Sequence, residues 1–273
     1  MLVWGNQKPV ARQCLARRYR SRRGFTIVDL LVSIFVIAVL IGLLIPSLAM
    51  VNETARRVVC QSNVRQIGLG VVMFADDSKG DLPPSTFLAP SGGPRGGPPA
   101  PPQPQSMMMV RIASPAGDGS AIWDGLGYLY SQDYIAAPKT FYCPSHRGDS
   151  PFSRFAPYWG DGSDEIASNY HYRGAGPIGH GTPTQPAKTT RSLYRIDPSQ
   201  SSLIADAMRI KSDYNHKVGV NFFRADLTVH WYSDNGNFSA SLPATKDDAD
   251  NTRTYVDEAW AAFDRSTLSG GPH

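Results

Sequence analysis

From Leu30 to Leu48 the chain carries no charged residue, and Leu, Ile, Val and Ala make up most of the run. Nineteen residues of helix at ~1.5 Å rise cover about 28 Å, roughly one hydrocarbon core. The pattern predicts a transmembrane helix over residues 25–50. The run is longer than the apolar core of a secretory signal peptide. Gly42 and Pro46 lie inside it, and membrane helices tolerate both when neighbouring groups satisfy the freed backbone.

Residues 51–80 change to an amphipathic pattern that continues the helix. The predicted apolar face is Val51, Ala55, Val58, Val59, Ser62, Ile67, Leu69, Val72 and Met73, with Arg56, Arg57, Gln61, Arg65 and Gln66 opposite. Gly68 and Gly70 weaken the last turns. Residues 81–107 read as a loop, because nine prolines and four glycines fall between 83 and 105.

Beyond it, residues 108–273 alternate in short strand-like runs, "TFYCP" at 140–144, "SNYHYRG" at 168–174 and "SLIADAM" at 202–208. "VGVNFFR" and "TVHWYSD" predict a hairpin around Ala225–Leu227, with Val218, Val220 and Phe222 or the alternate set facing inward. Tyr255, Ala259, Trp260 and Phe263 recur at helical spacing in 250–265 and predict a C-terminal helix. The aromatic run "WDGLGYLYSQDYI" at 123–135 is expected to pack on the long helix. The fold class is α+β, a long N-terminal transmembrane helix running into a small head with an antiparallel sheet.

Charge sharpens the topology. The formal net charge is +4, yet residues 1–24 alone hold Lys8, Arg12, Arg17, Arg18, Arg20, Arg22 and Arg23 and no acid. Without them, 20 basic residues face 23 acidic ones. The basic balance is therefore local and gives no nucleic-acid signal. A basic block beside a span stays on the cytoplasmic side, which puts the head outside the cytoplasm.

Asp29 breaks the pattern. A carboxylate in the apolar part of a span costs about 2.5–3.5 kcal/mol at the bilayer centre and less near the interface, where Asp29 falls. It either marks the headgroup boundary or pairs with a cation supplied from elsewhere. Arg22-Arg23-Gly24-Phe25-Thr26-Ile27-Val28-Asp29 resembles the prepilin-type cleavage and methylation motif of type IV pilins and type II secretion pseudopilins. The resemblance implies a basic leader, residues 1–24, cut between Gly24 and Phe25 by prepilin peptidase, with N-methylation of Phe25. It implies that Asp29, where that family usually has Glu, meets a neighbouring subunit's amine during assembly. Pro46 falls where many pilins have a proline. The implied partners are the peptidase, other pilin or pseudopilin subunits and membrane lipid. The implied location is the bacterial inner membrane, single-pass, with a periplasmic head or a place in an extracellular filament. The segment from Ala55 to Ser85 is similar to a large group of pseudopilin-like proteins whose C-terminal region carries a His–nine residues–Asp–Gly motif. Here His216 and Asp226 keep the spacing, and Leu227 replaces the glycine, so the turn is expected to differ.

Little chemistry remains. Cys60 and Cys143 are the two cysteines beyond the leader. They are the only pair that could form a disulfide there, or they stand as two separate thiols. No spacing of Cys and His suggests zinc, and the six histidines are scattered. His216 and Asp226 are expected to brace the hairpin, each at its own end of the strand, with His216 bonding a loop backbone group. Asp161 and Asp164, in an acidic turn, are the oxygen donors that a calcium ion would use, without EF-hand spacing. No cofactor and no enzymatic activity are expected. Two classes stay open: a structural pilin-like subunit, and an anchored periplasmic enzyme or binding module that uses the leader for targeting only.

Overall fold

The computed structural model describes residues 24–86, 107–160, 162–178, 189–246 and 254–266, apart from the side chains of Pro46, Ala49, Thr254 and Tyr255. Arg22, Arg23, Asp161 and most of the Pro/Gly-rich loop lie outside the described residues. The chain divides into two compact units between Ala49 and Met50.

Helix α1 runs from Ile27 to Asp77. Thr26 and Asp29 cap its start reciprocally: Asp29 N donates to Thr26 Oγ1 at 3.2 Å, and Thr26 N donates to Asp29 Oδ2 at 3.0 Å. This is a capping box in which Asp does the work usual for Glu or Gln. Among the described residues, α1 is the one helix long and apolar enough to cross a membrane. Its first half exposes large apolar side chains, including Leu31, Phe35, Ile37, Leu43 and Ile45.

The second half of α1 buries Cys60, Val64, Ile67, Val71, Phe74 and Ala75 in the head's main core. Steps of three and four residues put these side chains on one helix stripe. Each full aliphatic burial contributes about 1.5–3 kcal/mol. The predicted face was therefore out of phase. Val58, Val59, Leu69 and Met73 are exposed, and only Ile67 of the predicted set is fully buried, with Val72 at its margin. The physical reason is Gly68. A Cβ there would lie 2.3 Å from the Phe223 ring, so the missing side chain is what lets the helix seat on the sheet. A hydrophobicity pattern counts glycine as a weakness, whereas here it selects the packed face.

The head contains three antiparallel sheets among the described residues. The strands are β1 (Met109–Ala113), β2 (Ala121–Trp123), β3 (Ile166–Ala167), β4 (Tyr170–Tyr172), β5 (Gly176–Pro177), β6 (Thr189–Thr190), β7 (Ser202–Asp206), β8 (Gly219–Arg224) and β9 (Val229–Ser233). They pair in the orders β2-β1-β3, β4-β7-β8-β9 and β5-β6. The run at 140–144 is not a strand: Pro138–Phe141 form a 3-10 turn, because proline sets a turn-compatible φ at its start. Short helices follow at α2 (Gly127–Ser131), α3 (Phe152–Phe155) and α4 (Asn237–Ser241). The aromatic run packs as expected, with Phe74 of α1 5.9 Å from the Tyr134 ring and 6.1 Å from the Tyr128 ring. Leu82 and Met107, at the two ends of the predicted loop, are buried and belong to the head.

The C-terminal helix α5 (Thr254–Arg265) buries Ala259, Trp260 and Phe263, as the spacing implies, and Val256 with them, while the Tyr255 side chain lies outside the described residues. Buried Arg224 docks it: Nη2 donates to Phe263 O, and Nη1 donates to Ser199 O at 2.9 Å. A cation at a helix C-terminus meets the negative end of its dipole.

Candidate functional site

Four potential ligand residues converge from four segments at one end of the β4-β7-β8-β9 sheet. Cys60 comes from α1. Cys143 follows the 3-10 turn, with its N–H held by Asn169 Oδ1 at 3.2 Å. Asp206 ends β7, and His216 lies in the loop before β8. One ligand atom of each lies within 4.8 Å of the others, and all four residues are buried.

The contacts are specific. The Cys60 thiol donates to Asp206 Oδ1 at 2.9 Å, and its sulfur sits 3.4 Å from the Tyr170 hydroxyl. Cys143 Sγ lies 3.5 Å from His216 Nε2, which is 3.6 Å from Asp206 Oδ2. Around this group stands a supporting shell. Glu53 Oε1 is 2.9 Å from His216 Nδ1 and also accepts from Ser145 Oγ at 2.9 Å. Asp206 Oδ2 accepts from Asn221 N at 2.7 Å and from its side-chain amide at 3.1 Å.

The electrostatics separate the two thiols. Burial pushes the Cys60 thiol well above its ordinary value, and the nearby Cys143 and Asp206 add to this. Burial also acts upward on Cys143, but hydrogen bonds from Cys60 and His216 outweigh it and hold that thiol below its ordinary value. Burial works against a charged His216. Its bond to Cys143, the charges of Asp206 and Cys143, and Glu53 together still raise it to about 9. Burial raises Asp206 despite His216, Cys60 and Asn221.

Two clefts flank the group. One of about 310 Å³ is lined by Val59, Tyr142, Cys143, Pro144, Pro151, Phe152 and Asn169, among others. The other, about 190 Å³, is lined by Met50, Glu53, Thr54, Arg57, His216 and Val218.

Other residues singled out by sequence fall elsewhere. Gly24 and Phe25 precede α1 and are exposed. Cys60 and Cys143 are brought together as free thiols, without a bond between them. His216 and Asp226 do not meet as a dyad. Asp226 holds the turn, accepting Thr228 N at 3.0 Å and the Thr228 hydroxyl. His216 does not bond a loop backbone group through its ring. Its ring joins Glu53, Cys143 and Asp206, because the loop after β7 folds it back over α1. The turn itself keeps the shape that glycine favours: Leu227 takes φ +69°. Leu227 N donates to Arg224 O at 3.0 Å and Arg224 N to Thr228 O at 3.0 Å, a three-residue hairpin loop with a left-handed last residue. Asp164 is exposed, and the cation facing its loop is Arg111, whose Nε donates to Asp164 O at 2.7 Å and whose Nη1 donates to Gly160 O at 3.0 Å. Asp161 lies outside the described residues.

Asp206 has no counterpart among the residues that sequence patterns single out. It is the lone acid in the apolar run "SLIADAM", the same kind of anomaly as Asp29 in the span.

Residues 51–198, more than half of the chain, match the model of a family described as "Protein of unknown function (DUF1559)". No curated protein and no solved structure matches the chain.

Proposed function

We propose that this chain, which belongs to the DUF1559 family, is a pilin-like structural subunit anchored in a membrane by the first half of α1. The family is typical of chains with a prepilin-type N-terminus, and the apolar helix is compatible with a pilin-like membrane protein. The observation that carries the reading is α1 itself. Helix α1 begins two residues after Phe25; its first half exposes apolar side chains, and its second half buries a stripe in the head's core. In this reading prepilin peptidase cuts between Gly24 and Phe25 and methylates the new amine. Subunits then join a type II secretion or type IV pilus-like machine, with the head in the periplasm. Asp29 stays within a helical turn of that amine. It caps α1 through Thr26 and offers its carboxylate to a neighbouring subunit.

The test is the mass of the mature N-terminus in membrane-extracted protein. N-methylated Phe25 is expected, and a large side chain in place of Gly24 leaves the precursor uncut. A chain beginning at Met1 would refute the reading. Asp29→Ala should insert and be cut yet be missing from sheared filaments; normal assembly would remove the pairing role.

A second reading is an anchored periplasmic module that uses the leader for targeting. One observation favours it: Cys143 lines the 310 Å³ cleft with His216 and Glu53 behind it. Against it, the sulfur is buried and crowded by Cys60 and Asp206.

A further inference from the structure

We propose that Cys60, Cys143, Asp206 and His216 form a closed four-coordinate site for a divalent transition metal, and that zinc is the ion its donors suit. Two sulfurs, an imidazole nitrogen and a carboxylate oxygen match the ligand set of zinc and exclude the all-oxygen preference of calcium and magnesium. This departs from the sequence expectation of no metal, because no local spacing brings these four residues together.

One ligand atom of each residue lies within 4.8 Å of the others, and two of the separations match a tetrahedral ion. Tetrahedral zinc with ordinary bond lengths places neighbouring ligand atoms about 3.4–3.8 Å apart. Cys143 Sγ to His216 Nε2 is 3.5 Å, and His216 Nε2 to Asp206 Oδ2 is 3.6 Å. The Cys60 thiol donates to the other oxygen of the carboxylate, Asp206 Oδ1, at 2.9 Å, and its sulfur is freed for a metal when that proton leaves. A bound metal takes both cysteines as thiolates and His216 through an unprotonated Nε2, so any protons on these atoms leave on binding.

The surrounding bonds are those that a metal ligand set needs. Glu53 accepts from His216 Nδ1, which fixes the tautomer and leaves Nε2 as the donor to metal. Asn221 holds the Asp206 carboxylate through two bonds. The Tyr170 hydroxyl is placed to donate to a Cys60 thiolate. The 190 Å³ cleft reaches His216 from the surface and supplies an entry path. A Cys60–Cys143 disulfide accounts for less. It would consume both sulfurs and leave Asp206, 1% exposed, without its thiol donor. A metal ties α1 to three segments that lie far from it in sequence, so its role is to lock the helix into the head.

The experiment uses the full chain, purified in detergent under reducing conditions. Elemental analysis should find one zinc per chain. Cobalt uptake should produce thiolate-to-metal charge-transfer absorption and the intense visible bands of a four-coordinate ion. Cys60→Ser and Cys143→Ser should abolish both signals. If those variants fail to fold, Glu53→Gln decides, because its side chain is 42% exposed and tolerates the change. Glu53→Gln should weaken metal binding about 10–100-fold with unchanged circular dichroism. Wild-type protein that takes up neither zinc nor cobalt would overturn the site. A Cys60–Cys143 cross-linked peptide in protein taken directly from membranes would overturn it too, as would Glu53→Gln binding as tightly as wild type.

Discussion

Replacing Gly68 with alanine tests the contact that seats α1 on the head. In a helix interior the exchange alone favours alanine by about 1 kcal/mol. Here the added Cβ would lie 2.3, 2.4 and 2.5 Å from three atoms of the Phe223 ring. The ring is fully buried in the main core, so it has no open space to swing into. Relief requires the helix and sheet to part by about 1 Å, and overpacking of this kind costs about 1–3 kcal/mol. With the approach this close, the upper end applies, and the net loss is about 1–2 kcal/mol. Gly70→Ala is the matched control. Its Cβ would meet the flexible end of Ile135 at 3.3 Å, which a small rotation relieves. The propensity gain then survives, and the expected change lies between zero and about 1 kcal/mol of stabilisation. Urea unfolding of the detergent-purified chain, followed by tryptophan fluorescence, measures both. Gly68→Ala as stable as Gly70→Ala would refute the close approach.

The hairpin gives a second pair. Leu227→Gly removes a left-handed strain of about 1–2 kcal/mol at the cost of backbone entropy, so a net gain near 0.5–1 kcal/mol is expected. Asp226→Ala should cost about 0.5–1 kcal/mol through its lost bonds to Thr228. Thermal melts of both variants check the pair. Asp124 gives the pH dependence. Burial raises its carboxyl from 3.8 to about 6, despite bonds from Thr86 and Ser85. A raised carboxyl contributes stability that is fully present below the unfolded value and is lost as pH rises through the folded one. Asp124→Asn should therefore leave stability unchanged at pH 3, below the unfolded value of 3.8, and raise it by about 1–3 kcal/mol at pH 7, measured by unfolding at both pH values. Equal effects at the two pH values would remove the role of burial.

Features written in consecutive residues are legible in the sequence by itself. The uncharged stretch from Leu30 to Leu48 is a helix of spanning length because its length and composition admit little else. The β8–β9 hairpin and helix α5 follow from local period and turn chemistry, and Asp226 holds its turn as an Asp in that place does. Three things needed the tertiary structure. The buried face of α1 depends on Phe223, more than 150 residues away, meeting Gly68. The left-handed Leu227 is held by strand pairing on both sides, against its own preference. The group of Cys60, Cys143, Asp206 and His216 comes from four segments with no local spacing in common. Sequence patterns report the preferences of neighbours along the chain. Which distant atoms share a few ångströms is decided by how the core packs, and the chemistry of this buried centre depends on that packing.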